Sequence, residues 1–305
     1  MGRTAEALER AERKRNGDAR RMRITASDQM RKWSHWYGAA QSAPPSAERG
    51  PAEQIRSATP VPGMSEQIVS YYNSTSIRSE QYRSLRTRLL SANQRQAACV
   101  YAVSSALPGE GKSITVANLG FSFAEIPHLN VLMVDGDFRR AKLAKLLNID
   151  SNPGLADFLQ GLVAFEDIIR STPVPNLFFV PAGKTHGRSA TELLSRKAAR
   201  TAFQRFAREY DHTIVDTPPA ATVADVGIIG QLTTGVIFVV RMHRTPEPLA
   251  KRAIRRILNN NVPIIGGLLI GEHDPAGGYG RKYSSDRYYK YERNAAEPGQ
   301  ESTVG

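Results

Sequence analysis

Cysteine is nearly absent: Cys99 is the one cysteine in 305 residues. A single thiol excludes an intrachain disulfide, and it cannot supply a zinc ribbon or the two cysteines per chain of a subunit-bridging iron–sulfur cluster. A reducing, cytosolic setting fits. Long hydrophobic runs are missing too. The longest apolar stretches, such as 262–270, fall well short of the roughly 18–20 residues that span a bilayer. No apolar segment follows the basic residues at the start, so neither a secretory signal nor a transmembrane anchor is expected. The six histidines show no His-x-x-x-His or similar ligand spacing, and neither Ser105 nor Ser113 sits in a nucleophile elbow. A histidine metal cage and a hydrolase triad are therefore not expected. With 24 glycines and 18 prolines, the chain stays below the roughly 25–30% combined share of a low-complexity protein. Acid is in deficit: 29 Asp and Glu face 41 Lys and Arg, a net charge of +12. That balance favours nucleotides, nucleic acid or an anionic membrane face, without choosing among them.

At roughly 150 residues per domain, this length suggests two domains or one large domain with tails. Residues 1–60 carry twelve Lys/Arg against seven Asp/Glu and include Gln41-Ser-Ala-Pro-Pro-Ser46. They read as a basic, largely disordered tail and linker. Residues 61–95 read as an arm region, because Tyr82, Leu85 and Leu89 fall on one face of a helix over 77–91. From about 96 to 271 apolar runs of strand length, at 99–104, 130–134, 177–180, 213–215, 235–240 and 263–270, alternate with helical stretches at 112–125, 189–209 and 247–260. Strands without a polar face are covered on both sides. The expected fold class is α/β, a mainly parallel sheet with helices on both faces. Residues 272–305 turn tyrosine-rich and polar and read as a flexible tail.

Ala106-Leu-Pro-Gly-Glu-Gly-Lys-Ser113 follows one apolar run and opens onto a helix. That is the context of a phosphate loop, and it makes the domain a P-loop NTPase. Glycines let backbone amides approach phosphates, a helix N-terminus favours their charge, and Lys112 reaches the outer phosphates. Pro108, Gly109, Glu110, Gly111, Lys112, Ser113 and Ile114 are the expected nucleotide-binding residues, with Ser113 offering its hydroxyl to Mg²⁺. The strict pattern begins with glycine, and Ala106 stands in that place. Two more strand ends carry carboxylates, Asp135 and Asp137 in Val131-Leu-Met-Val-Asp-Gly-Asp-Phe-Arg139 and Asp216 in His212-Thr-Ile-Val-Asp-Thr-Pro-Pro219. Open α/β sheets place ligand groups at such strand ends. A lone carboxylate there is often only a helix cap; three beside a phosphate loop can hold Mg²⁺ and accept a proton.

Together these residues resemble the bacterial tyrosine autokinases of capsule and exopolysaccharide biosynthesis (BY-kinases). The boxes are Pro-Gly-Glu-Gly-Lys-Ser at 108–113, Asp-x-Asp-x-Arg at Asp135, Asp137 and Arg139, and Asp-Thr-Pro-Pro at 216–219. The likeness runs over about 76–292 and takes in 152–161, 180–183, 192–194 and 239–241. It implies ATP and Mg²⁺ as cofactors, Ser113, Asp137 and Asp216 around the metal, and Asp135 as the base that activates a tyrosine hydroxyl. Lys112 acts on the phosphates, and Arg139 is a phosphate or structural partner. Glu80, Arg83 and Arg86 fit the family's Glu-x-x-Arg-x-x-Arg pattern, which implies subunit contacts in a homo-oligomeric ring; a solvated salt-bridge stripe is the plainer alternative. Relatives often carry a fused membrane-spanning chain-length regulator. Here the resemblance implies a separate transmembrane activator, recruitment to the inner face of the plasma membrane, and a phosphotyrosine phosphatase that resets the tail.

Tyr279, Tyr283, Tyr288, Tyr289 and Tyr291 are five of the eleven tyrosines and lie within thirteen residues, interleaved with Arg281, Lys282, Arg287 and Lys290. They are the expected phosphoacceptors. Such a mixture could also stack on nucleic acid, which is not the expected partner. The main rival is a non-kinase ATPase switch of the partition or septum-positioning type. Those proteins carry a signature lysine five residues before the loop lysine, where this chain has Leu107. A nucleotide-binding scaffold without catalysis is the other alternative.

Overall fold

The computed structural model describes residues 61–93, 97–221 and 225–271. The basic segment 1–60 and the tyrosine cluster Tyr279–Tyr291 lie outside the described residues. Seven strands, β1 (Cys99–Ser105), β2 (Val131–Asp135), β3 (Arg170–Ser171), β4 (Leu177–Val180), β5 (His212–Asp216), β6 (Gly235–Arg241) and β7 (Ile264–Ile270), form one sheet in the order β3-β4-β2-β5-β1-β6-β7. Every pairing is parallel except β3 with β4. The expected α/β class holds, with one short antiparallel edge added.

Alternate residues of the strands feed two separate cores. Val100, Ala102 and Val215 belong to one, Tyr101, Val103 and Ile214 to the other. Burial on both faces is why the strands read as unbroken apolar runs. Helices α1 (Val69–Tyr72), α2 (Ile77–Ala92), α3 (Lys112–Ala124) and α4 (Leu143–Leu147) lie on the second core. Helices α5 (Leu155–Leu159), α6 (Ala190–Leu194), α7 (Lys197–Glu209), α8 (Asp225–Gln231) and α9 (Glu247–Asn259) lie on the first.

The expected arm helix is α2. Ser76 caps it by accepting a hydrogen bond from the Ser79 N–H at 3.2 Å, and its Leu89 is buried against α3's side of the sheet. The stretch 189–209 is two helices, not one. Ser195 ends the first by donating its hydroxyl to the Thr191 carbonyl at 2.7 Å. Arg196 is then extended, with φ −72° and ψ 154°. The restart aligns Ala199, Ala202, Phe203 and Phe206 on the sheet.

Candidate nucleotide site

The loop between β1 and α3 is shaped by two left-handed glycines, Gly109 at φ +79° and Gly111 at φ +96°. A side chain is strained in that region, so glycine is what lets the backbone curl back on itself. Gly111 starts α3 by accepting the Thr115 N–H at 2.8 Å. Ala106, in the place of the usual first glycine, is fully buried in the first core, so its methyl fills space there and does not obstruct the loop. Glu110 is 3% exposed. Its Oε2 accepts the Leu107 N–H at 2.8 Å, and its Oε1 accepts the hydroxyl of Thr245, from the β6–α9 connection. Its side chain is thus committed to protein, which leaves its backbone for any phosphate.

Parallel pairing brings the carboxylates together. Asp135 and Asp216 are register partners at the carboxyl ends of β2 and β5, and β1, with the phosphate loop after it, pairs with β5 on its other side. Gly136 holds the two strand ends close: its N–H donates to the Asp216 carbonyl at 2.9 Å, and a Cβ there would meet that oxygen at 2.8 Å. The Ser113 hydroxyl donates to Asp216 Oδ2, whereas Asp216 Oδ1 is buried without a hydrogen-bond partner. Asp137 takes the Arg139 and Arg140 N–H groups on one oxygen, Oδ1, at 3.2 and 3.0 Å. Asp135 is fully buried. Its Oδ1 accepts the Asp137 N–H, and its Oδ2 accepts those of Lys142 and Leu143 at the start of α4.

Burial is the dominant electrostatic influence. It pushes the Asp135 and Asp216 carboxyls up, with mutual repulsion adding to Asp135 and the Ser113 and Lys112 contacts opposing it at Asp216. It pulls the Lys112 ammonium down, against the attraction of Asp216, Asp137 and Glu110. An orphaned carboxylate oxygen, a serine hydroxyl and a lysine at a helix N-terminus are hard donors and charges that fit Mg²⁺ with a polyphosphate. Among the described residues no three His, Cys, Asp or Glu side chains form a self-contained metal centre. Magnesium sites of the shared kind, completed by phosphate and water, need none.

Arg139 sits at the rim with half its side chain exposed, donating through Nε to Asp225 Oδ2 at 3.0 Å. Asp225 also accepts the Thr191 hydroxyl at 2.6 Å. Arg83 and Arg86 of the arm engage Glu125, just past α3. Arg83 Nε and Nη2 lie 2.8 and 2.7 Å from its two oxygens, Arg86 Nη1 lies 2.8 Å away, and Arg83 also pairs with Glu80. Glu125, Asp225 and Thr245 escaped the sequence reading. Each is joined to its partner across 42, 86 and 135 residues of chain respectively, and no local pattern marks such a pairing.

A sheet with a phosphate loop after the interior strand β1 and carboxylates at the ends of β5 and β2 defines a nucleotide-binding P-loop protein. A family model described as an AAA domain matches residues 99–260, more than half of the chain. Tyrosine-protein kinase ptk of Acinetobacter johnsonii is 32% identical over 212 residues, 70% of this chain and 29% of that protein. Tyrosine-protein kinase YwqD of Bacillus subtilis is 29% identical over 223 residues, 72% of this chain and 93% of that one. The solved BceF tyrosine kinase domain is 30% identical with a TM-score of 0.61, covering 67% of this chain and 81% of its own. The chain belongs to the AAA-domain family and to the bacterial tyrosine kinases. It spans about three tenths of the length of the longer relatives it matches. No helix among the described residues is long and apolar enough to cross a membrane.

Proposed function

We propose that the chain is a Mg·ATP-dependent protein-tyrosine kinase. It transfers the γ-phosphoryl group to the cluster Tyr279, Tyr283, Tyr288, Tyr289 and Tyr291 of its own or another copy and thereby regulates capsule or exopolysaccharide polymerisation and export. The observation that carries this reading is the meeting of Ser113 and Asp216, with the orphaned Asp216 Oδ1 beside them. It accompanies the family's kinase boxes and kinase-named relatives. Mg²⁺, when bound, supplies charge neutralisation for a transfer that depends mainly on placement and electrostatics.

The chain's own residues do the rest. Backbone amides of 109–114 and Lys112 would hold the phosphates, while Ser113, Asp137 and Asp216 would hold the metal. Asp135 is the acceptor of the tyrosine proton. A tyrosine hydroxyl with a pKa near 10 needs such a base, and burial raises the proton affinity of this one. Because Asp135 is fully buried, the 137–143 turn that it fastens must shift for a phenol oxygen to reach it. Arg139 reaches the phosphates with the part of its guanidinium that Asp225 leaves free. Glu80, Arg83 and Arg86 make contacts between copies in a ring. A separate transmembrane regulator recruits and activates the kinase at the inner face of the plasma membrane, and a phosphatase reverses it.

The test is site-resolved phosphopeptide mass spectrometry after incubation with Mg·ATP, with and without the cytoplasmic segment of a candidate membrane partner. Phosphate on Tyr279–Tyr291 that disappears in Lys112→Met and Asp135→Asn is the expected result. ATP hydrolysis without phosphotyrosine, partner present, overturns the reading in favour of a switch ATPase.

A further inference from the structure

An acidic side chain inside a loop made to receive phosphates is a physical oddity, because two like charges a few ångströms apart repel by about 1 kcal/mol even at water's dielectric. Glu110 nevertheless occupies the middle of the loop, between Gly109 and Gly111, and is 3% exposed. Both neighbours are in the left-handed region, where glycine gives curvature and no stiffness. Glu110 is thus the one side chain at the loop's apex that can fix its shape, and its carboxylate is turned into the protein.

Its two oxygens are used differently. Oε2 accepts the Leu107 N–H and closes the loop on its own beginning. Oε1 accepts the Thr245 hydroxyl, which ties the loop to a different element. That hydroxyl is itself oriented, because its oxygen accepts the Arg241 N–H at 3.0 Å, so its single proton is left for the carboxylate. Backbone bonds from Arg244 and Thr245 to the Arg241 carbonyl, at 3.2 and 2.9 Å, lock the turn. A second link runs from Arg241 Nη1 to the Gly109 carbonyl at 3.3 Å. The connection can reach the loop because β6 pairs with β1, Ser105 opposite Val239.

We infer that Thr245 is a positioning residue for nucleotide binding. Through Glu110 it holds the backbone amides of 109–111 in the shape that receives phosphates, and the β6–α9 turn is the anchor of the loop. The inference rests on nucleotide occupying the loop and not on the identity of the acceptor that receives the phosphoryl group.

The experiment is calorimetric titration of full-length protein with Mg·ATPγS, with melting temperatures recorded alongside. Thr245→Val removes the hydroxyl and keeps the shape, and it is expected to weaken binding about tenfold. Thr245→Ser, which restores the donor, is expected within about twofold of the starting protein. The double variant Glu110→Ala with Thr245→Val should bind no worse than Glu110→Ala alone, since the two groups act as one unit. A merely structural hydroxyl would lower the melting temperature and leave affinity unchanged. Thr245→Val binding within twofold of the starting protein, or losses that simply add in the double variant, overturns the inference. If Thr245→Val does not fold, Thr245→Ala is read in its place by the same criteria. If the unaltered chain takes no Mg·ATPγS, the nucleotide reading of the site fails first, and that outcome is distinct from a bound nucleotide indifferent to Thr245.

Discussion

Strand β5 begins at His212 and ends at Asp216, and both residues are buried. The interior drives each toward its neutral form. Burial lowers the His212 pKa from 6.5 to about 4 and raises that of Asp216. The surroundings then differ. His212 lies beside two aromatic rings, 4.4 Å from Phe123 and 5.9 Å from Tyr101. Asp216 faces Ser113, Lys112 and two further aspartates. Both ends also leave one side-chain atom, His212 Nδ1 and Asp216 Oδ1, buried without a hydrogen-bond partner. At the amino end that atom belongs to a packed ring; at the carboxyl end it belongs to a carboxylate whose other oxygen takes the Ser113 hydroxyl. A buried polar group reads as function when hard donors and opposite charge converge on it, and as packing when only rings do.

The sharpest way to break this comparison is Asp216→Asn. It should reduce phosphoryl transfer at least about a hundredfold, about 3 kcal/mol of transition-state stabilisation. It should also raise the melting temperature of the nucleotide-free protein, because a charge held in a dry site for function is relieved. Radiometric transfer assays and calorimetry check the two halves. A variant that loses activity and stability together would place Asp216 with His212 as a packing group.

At the other end of β5 the expected effect is on pH dependence. A histidine whose folded pKa lies below its unfolded value stabilises the fold above about pH 6.5 and loses that contribution as pH falls toward 4. The loss amounts to about 3 kcal/mol by pH 4. The groups facing it are Tyr101, Phe123 and, opposing the shift, Asp211. His212→Phe keeps the stack and removes the titration. Urea unfolding between pH 4 and 7 should therefore show a flatter acid limb than the unaltered protein, and an unchanged limb sinks the assignment. Between the two effects in kind lies Gly136→Ala, whose methyl would meet the Asp216 carbonyl at 2.8 Å. It should destabilise by about 1–3 kcal/mol and weaken nucleotide binding as well, measured by thermal shift with and without Mg·ATPγS.

What could be read from sequence follows from how local each signal is. The apolar runs marked six strands to within about a residue, because burial on both faces leaves no polar alternation to confuse. The phosphate loop and the two aspartate boxes were legible for the same reason: each is a contiguous strand-to-loop junction. Strand β3, two residues long, and the five-residue helices α4, α5 and α6 are too short for periodicity to register. The break at Ser195–Arg196 depends on a side chain capping its own helix while the next turn re-aims toward the sheet. The position of Asp135 at a strand end was legible, but its service as a fastener of the 137–143 turn was not. The amides it holds gather around it only when that turn folds back.

The smallest expected effect concerns the arm, where a similar pair of readings competes. Glu125 accepts a bidentate Arg83 and also Arg86, which makes the arginines a clamp within the chain; the family pattern makes them a contact between chains. Both uses are compatible with the exposures, since the Arg83 and Glu80 side chains keep 26% and 42% of their surface and Arg86 Nε is buried without a hydrogen-bond partner. Glu125→Ala should lower stability by about 1–2 kcal/mol, less in high salt because the group is not sealed from solvent, and leave the molar mass from light scattering unchanged. Arg83→Ala with Arg86→Ala should lower both mass and autophosphorylation. If the arginine variant keeps its mass and shares only the stability loss of Glu125→Ala, the arm is an internal strap and the ring contact lies elsewhere.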